Sequence, residues 1–209
     1  MDHLSTMDMV RIIDIMTEVI IRNEVTFCGL DSVAGDGDLG MSLAKGFKEL
    51  GKARAELPIT NIGVFLMACS RVITEHCGGV SGPIWGAAFR SAGKAANGMT
   101  ELDVAGLGLV IQAAIAGIQA RGGAKQGDKT LLDALIPAAE AFKGAATTTN
   151  SIKAALTVAA AAAVDGAERT KLIAATKGRA SYVGDRSLTH PDAGAAALGI
   201  IFTEIAQQF

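Results

Sequence analysis

Residues 9–20 read Met9-Val10-Arg11-Ile12-Ile13-Asp14-Ile15-Met16-Thr17-Glu18-Val19-Ile20. Met9, Ile12, Ile13, Met16 and Ile20 recur at i, i+3, i+4, i+7 and i+11, the spacing that lines side chains along one stripe of an α-helix. The same period returns in Ile62, Phe65, Leu66, Cys69, Val72 and Ile73, in Leu107, Ile111, Ile115 and Ile118, and in Leu198, Ile201, Phe202 and Ile205. The two-residue alternation of a half-buried strand is not sustained anywhere. Ser5-x-x-Asp8 and Thr100-x-x-Asp103 have the form of capping boxes at helix starts. The pattern predicts about eight helical segments, near residues 5–23, 40–51, 60–76, 84–97, 101–120, 130–144, 150–165 and 193–208, with a further helical stretch over 166–176. The alanines from Ala145 onward fit helices whose axes approach closely, because Ala loses no side-chain entropy in a helix. No solenoid repeat and no Pro/Ser-rich linker divides the chain, so one all-α domain over residues 1–209, an up-and-down helical bundle, is expected.

Composition narrows the function classes. Of 209 residues, 50% are hydrophobic and 19% charged, which excludes disorder. Nineteen Lys and Arg against 21 Asp and Glu lack the cationic excess of a nucleic-acid binder, and one Trp with one Tyr makes no stacking platform. Cys28, Cys69 and Cys77 are odd in number and irregularly spaced, neither a disulfide framework nor a zinc pattern, and read as small buried hydrophobes in a reducing compartment. The start, Met1-Asp2-His3-Leu4-Ser5, has no basic n-region ahead of an apolar stretch. The greasiest run, Ala154 to Val164, is too short to cross a bilayer. The expectation is a cytoplasmic chain with neither membrane nor nucleic acid as partner.

Four polar, Gly-rich patches interrupt the helices: Gly29 to Gly40, Gly78 to Pro83, Gly122 to Thr130 and Lys177 to Gly194. Helical bundles need only short connections, so these need another explanation. With helices running up and down, the patches gather at one end and form a site on a rigid scaffold.

The first patch holds Asp31, Asp36 and Asp38 among glycines. Carboxylates this close repel, and a hard divalent cation offsets the repulsion while selecting their oxygens. Metal binding therefore ranks ahead of a solvated acidic turn. Gly35-x-Gly37-x-x-Gly40 fits the dinucleotide fingerprint only formally, because Asp36 and Asp38 would repel a pyrophosphate and no βαβ pattern surrounds it. An EF-hand is excluded, since Phe47 stands where its loop needs Glu. Gly127-Asp128-Lys129-Thr130 resembles a P-loop ending, but Asp128 separates Gly from Lys. Lys129 and Thr130 remain candidates to donate to a phosphate or to cap the next helix, with capping the safer reading for Thr130. Gly78-Gly79-Val80-Ser81-Gly82-Pro83 suits an anion at a helix start, and Lys177, Arg179, Ser181 and Arg186 add donors suited to phosphate. Together these supply the parts of a nucleotide–metal site. The three histidines, His3, His76 and His190, form no catalytic constellation, and His76 reads as structural.

Four ordered motifs carry a resemblance over nearly the whole chain: Gly35-Asp36-Gly37-Asp38-x-Gly40, the Gly78–Pro83 turn, Gly127-Asp128-Lys129-Thr130-Leu131-Leu132-Asp133, and the segment Thr176 to Ser187. The chain resembles the nucleotide-binding (L) subunits of bacterial dihydroxyacetone kinases. That resemblance implies an eight-helix antiparallel barrel holding ADP or ATP at one end. It assigns Asp31, Asp36 and Asp38 to two Mg²⁺ ions that bridge the phosphates. It places Leu39, Gly40, Met41, Ser42, Val80, Ser81, Gly122, Leu131, Arg179, Asp192, Ala193 and Gly194 at positions that contact nucleotide. The ketose would sit on a separate subunit, held by a histidine absent from this chain, so no catalytic residue beyond the metal site is implied here. In one branch of the family a phosphohistidine carrier of the phosphotransferase system recharges a retained nucleotide; in the other, ATP exchanges freely. Leu39 stands where stand-alone subunits often have His, and Ser42 where Asn is common. These departures keep open a nucleotide-sensing regulatory subunit, or a kinase subunit for another acceptor such as a four-carbon ketose.

Overall fold

The computed structural model describes residues 2–209. Eight helices of 14 to 19 residues form it: α1 (Thr6–Arg22), α3 (Leu39–Ala53), α4 (Ile62–His76), α5 (Ser81–Ala95), α6 (Val104–Gly122), α7 (Leu132–Ala145), α8 (Ile152–Arg169) and α9 (Ala193–Gln208). A ninth, α2 (Glu24–Asp31), has only eight residues. The long helices close a ring, each touching the next in the order α1, α3, α4, α5, α6, α7, α8, α9 and back to α1. Each connection turns the chain back, so neighbours run antiparallel, as in other up-and-down bundles.

Most of the expected stripe residues are buried in the ring, joined by apolar residues of α3, α7 and α8 that no stripe had marked. Leu43, Phe47, Ile62, Phe65, Ile73, Leu132, Phe142, Ile152 and Ile201 are at most 1% exposed. Each such side chain contributes roughly 1.5–3 kcal/mol of burial. In α8 the alanines 155, 159, 160, 163 and 167 form the buried face. Helices α4 and α5 also approach closely: a Cβ on Gly63 would fall 2.5 Å from both Gly93 O and Asn97 Cα. The staves enclose an apolar cavity of about 160 Å³, walled among others by Met9, Leu66, Phe89, Leu107, Phe142 and Leu198.

Several expectations need correction. The first patch is not loop from Gly29, because α2 runs through Asp31. Helix α5 begins at Ser81 rather than 84; Pro83 is tolerated in a first turn, whose N–H groups have no intrahelical acceptor. Thr100 caps no helix. Its carbonyl accepts from Thr6 N at 2.9 Å, and Asp103 is the N-cap of α6, accepting from Gly106 N at 2.7 Å. No separate helix occupies 166–176; α8 continues to Arg169 and ends in a 3₁₀ turn, Thr170–Leu172. A second 3₁₀ segment, Arg179–Ser187, lies inside the fourth patch. Two strands too short to show alternation, β1 (Leu4–Ser5) and β2 (Glu101–Leu102), pair antiparallel with Leu4 opposite Leu102. Among the described residues the helix long and apolar enough to span a membrane is α6, not the Ala-rich run, and it is a stave between α5 and α7. Cys69 and Cys77 are buried, with thiols pushed up to about 12 and about 11 by desolvation, whereas Cys28 is only half-buried.

Alternation of direction has one consequence for function. The connections α2–α3, α4–α5, α6–α7 and α8–α9 all lie at the same end, and they are the four polar patches.

Candidate functional site

At that end the structure forms a cleft of about 190 Å³ whose wall includes Asp31, Asp36 and Asp38, the Val80-Ser81 turn, Lys129 to Leu131, Lys177 to Ala180, and Asp192 to Gly194. All four patches contribute to it.

The acidic loop is held by its own hydrogen bonds. Asp31 closes α2, and its backbone carbonyl accepts from Gly35 N at 2.6 Å. Its carboxylate accepts from Asp38 N at 3.0 Å, which folds residues 32–38 back onto the helix end. Gly37 supplies the left-handed turn, at φ +75°. Gly40 lets α3 cross tightly beside α2, since a Cβ there would lie 1.9 Å from Glu24 O. As a result one carboxylate oxygen from each of Asp31, Asp36 and Asp38 lies within 4.8 Å of the others. Hard oxygen donors at this spacing suit Mg²⁺ or Ca²⁺. Burial, then the neighbouring Asp36, pushes the Asp38 carboxyl above its ordinary value, while Arg179 pulls it back. Arg179 Nη1 pairs with Asp36 Oδ2 at 2.6 Å, which brings the basic loop onto the acidic one.

Two helix starts face the same space. No side chain caps α5, whose first residue, Ser81, lines the cleft. Helix α9 is capped by Asp192, whose carboxylate accepts from Ala195 N at 2.8 Å. Uncommitted N–H groups at a helix start favour an anion. Below them Leu39, Leu43, Ile84, Trp85 and Leu131 form an apolar floor. No histidine or cysteine is in the wall.

The DAK2 domain profile matches residues 33–207. The chain belongs to the DAK2 domain family. It is 35% identical over 190 residues to the PEP-dependent dihydroxyacetone kinase 1, ADP-binding subunit DhaL, of Listeria innocua, covering 91% of this chain and 90% of that one. It is 33% identical over 205 residues to the L-erythrulose 1-kinase of Mycolicibacterium smegmatis, covering 96% of this chain but 35% of the longer enzyme. The dihydroxyacetone kinase of C. freundii in complex with AMP-PNP and Mg²⁺ superposes with a TM-score of 0.74 at 27% identity, over 96% of this chain and 33% of that one. The chain thus spans nearly all of the DhaL subunit and about a third of the two longer kinases.

In this DAK2 domain the sequence-expected residues divide into two groups. Asp31, Asp36, Asp38, Leu39, Val80, Ser81, Leu131, Arg179, Asp192, Ala193 and Gly194 line the cleft. Gly40, Met41, Ser42 and Gly122 do not. Gly40 packs on α2, Met41 is 57% exposed, and buried Ser42 accepts through its carbonyl from Gly78 N at 3.1 Å. Gly122 ends α6, where a Cβ would lie 2.9 Å from Ile84 Cδ1.

The Gly127–Asp133 motif is held by its own hydrogen bonds. Asp133 accepts from Gly127 N at 2.6 Å and Thr130 N at 2.8 Å, pinning the turn to α7. The Thr130 hydroxyl accepts from Leu132 N at 3.2 Å in a local turn, but the N-cap position of α7 is Leu131 and no side chain caps the helix, so the capping expected of Thr130 is not seen. Asp128 accepts from Lys125 N and from Thr176 Oγ1, both at 2.8 Å, and the first of these bonds in particular holds its carboxyl below the ordinary range. Lys129 is 2% exposed, and its ammonium donates to three backbone carbonyls. Burial lowers its pKa. Burial also pushes the Asp192 carboxyl up to about 7, against the opposing bond from Ala195 N. Reading the sequence alone did not find Leu43, Ile84 or Trp85 as cleft residues, whereas Lys177, expected among the phosphate donors, does line the cleft. Trp85 carried one usable signal: it is the single tryptophan, on the helix that follows the Gly78–Pro83 turn.

Proposed function

We propose that this chain is the nucleotide-binding phosphotransferase subunit of a dihydroxyacetone kinase, acting in the cytoplasm with a ketose-binding partner subunit. The observation that carries the reading is the meeting of three carboxylates within 4.8 Å with a basic loop and an uncapped helix start in one cleft. The names of the L. innocua subunit and of the AMP-PNP and Mg²⁺ complex support it.

Asp31, Asp36 and Asp38 would hold magnesium, with two ions as the expected number, and the metal would neutralise charge on the phosphates. Arg179 and Lys177 reach the cleft from the basic loop and supply charge-assisted donors to phosphate oxygens. The N–H groups at the starts of α5 and α9 orient the same oxygens. The apolar floor around Leu39, Ile84 and Trp85 suits the flat faces of a purine base. With no histidine or cysteine in the wall, the chain's contribution is positioning and charge stabilisation, which suffices for phosphoryl transfer to a hydroxyl presented by another subunit. A four-carbon ketose is the second reading for the acceptor, favoured by the match to L-erythrulose 1-kinase.

The test is reconstitution. The purified chain is mixed with a ketose-binding subunit and Mg²⁺, and given either ATP or a phosphorylated carrier protein of the phosphotransferase system. Triose phosphate forms from dihydroxyacetone with one of the two donors, and Asp36→Asn abolishes its formation while leaving the helical circular dichroism unchanged. No product with either donor and either ketose sinks the proposal.

A further inference from the structure

Lys129 sits where a phosphate ligand would be sought, yet its geometry commits it elsewhere. Its backbone is left-handed, at φ +61°, which a side chain with a Cβ adopts only when its surroundings impose it. Its ammonium donates to Thr170 O at 2.7 Å, Ser187 O at 2.5 Å and His190 O at 2.8 Å. An ammonium has three donors, so all three are used. The acceptors come from the two ends of the α8–α9 connection. Between them run Lys177 and Arg179, the cations that reach the cleft. The adjacent Asp128 ties the middle of the same connection, accepting from Thr176 N at 3.2 Å and Thr176 Oγ1 at 2.8 Å. Thr170, whose carbonyl Lys129 holds, accepts through its hydroxyl from Asp192 N at 2.8 Å, and Asp192 caps α9. Apolar packing does little along this stretch: Leu172 is 85% and Tyr182 88% exposed.

We infer that Lys129 is a positioning residue that clamps residues 170–190, and through them Arg179 and the start of α9, over the acidic triad, rather than a ligand of the phosphates. A free loop of this length samples many arrangements, and nucleotide would have to bear the entropy of ordering it. The clamp removes that cost beforehand. Charge-assisted bonds from a buried ammonium to carbonyls suit the task, because they fix backbone without demanding a particular side chain from the loop.

This inference rests on the nucleotide-binding reading, and the experiment separates the two. Wild type, Lys129→Met and the milder Thr176→Val, which removes the hydroxyl bond of the second tether and leaves its backbone bond, are compared by Mg-ADP titration and by amide hydrogen exchange over residues 170–190. A folded Lys129→Met protein is expected to bind Mg-ADP about tenfold or more weakly, with faster exchange confined to 170–190. Thr176→Val is expected to show the same two effects at smaller size, and if Lys129→Met does not fold, Lys129→Gln, whose amide offers two N–H donors in place of three, is measured instead. A purely structural lysine would lower the melting temperature yet leave the affinity of the folded protein and the loop's exchange unchanged; that result overturns the inference. Lost affinity in Lys129→Met with wild-type loop exchange also overturns it, since that is the mark of direct phosphate contact. A wild-type protein that ignores Mg-ADP refutes the nucleotide reading, and the exchange data still test the clamp.

Discussion

Asp38→Asn is expected to make the ligand-free protein more stable and the ligand-bound protein less so. The carboxylate oxygens of the triad lie within 4.8 Å of one another. Two unit charges at that distance repel by about 1 kcal/mol under bulk-water screening and about 3 kcal/mol at the effective dielectric of a protein surface. Arg179, at 2.6 Å from Asp36, offsets part of this. Burial first, and then Asp36, push the Asp38 carboxyl above its ordinary value. Asp38 precedes α3 without capping it, so the amide forfeits no helix bond. The net gain for the ligand-free variant is about 1 kcal/mol, which in a chain of this size raises the melting temperature by roughly 2–4 °C. Mg-ADP at about a hundredfold over its Kd stabilises the wild type by about 2.7 kcal/mol, or roughly 5–10 °C. The variant loses a metal ligand and with it most of that increment. Thermal melts with and without magnesium and ADP measure both effects at once. A ligand-free variant that melts below wild type, or one that keeps the full Mg-ADP increment, would refute the reasoning that the triad is a strained site awaiting a cation.

Asp192→Asn keeps the acceptor for Ala195 N but removes the titration. Because the folded carboxyl lies near 7, above its unfolded value of about 3.9, wild-type stability is fully present below about pH 4 and declines as pH rises through about 7. Urea melts from pH 5 to 8 should therefore show the variant gaining on wild type, by up to the order of 3 kcal/mol; parallel curves would count against a buried, titrating Asp192. Trp85 lines the cleft and is the chain's single tryptophan, so Mg-ADP should change its fluorescence, and an unchanged spectrum at saturation, established by calorimetry, would place the nucleotide elsewhere. Gly63→Ala forces a methyl to within 2.5 Å of the α5 backbone and should cost about 1–3 kcal/mol in urea melts while leaving the Mg-ADP affinity of the folded protein intact.

Local spacing made much of this molecule legible. The 3.6-residue stripes mark four of the eight long helices, α1, α4, α6 and α9, because each stripe is written within its own segment. The acidic loop was readable for a similar reason, since Asp31, Asp36 and Asp38 are neighbours in sequence and glycines let them turn together. Up-and-down alternation then implies that every second connection meets at one end. Helix α2 escaped because eight residues bearing Gly29 show no full stripe, and its discovery moves Asp31 from a loop to a helix end.

Tertiary structure alone decided what each polar residue does at that end. Lys129 and Thr170 are 41 positions apart, Lys129 and His190 61, and no local pattern states that an ammonium will find three carbonyls so remote. The same holds for the pairing of Arg179 with Asp36 and for Trp85 as part of the cleft floor. Helical periodicity arises from contacts between near neighbours and is therefore encoded in composition and spacing. Hydrogen bonds across the end of a closed ring depend on where eight staves come to rest, which is settled by packing the whole core at once.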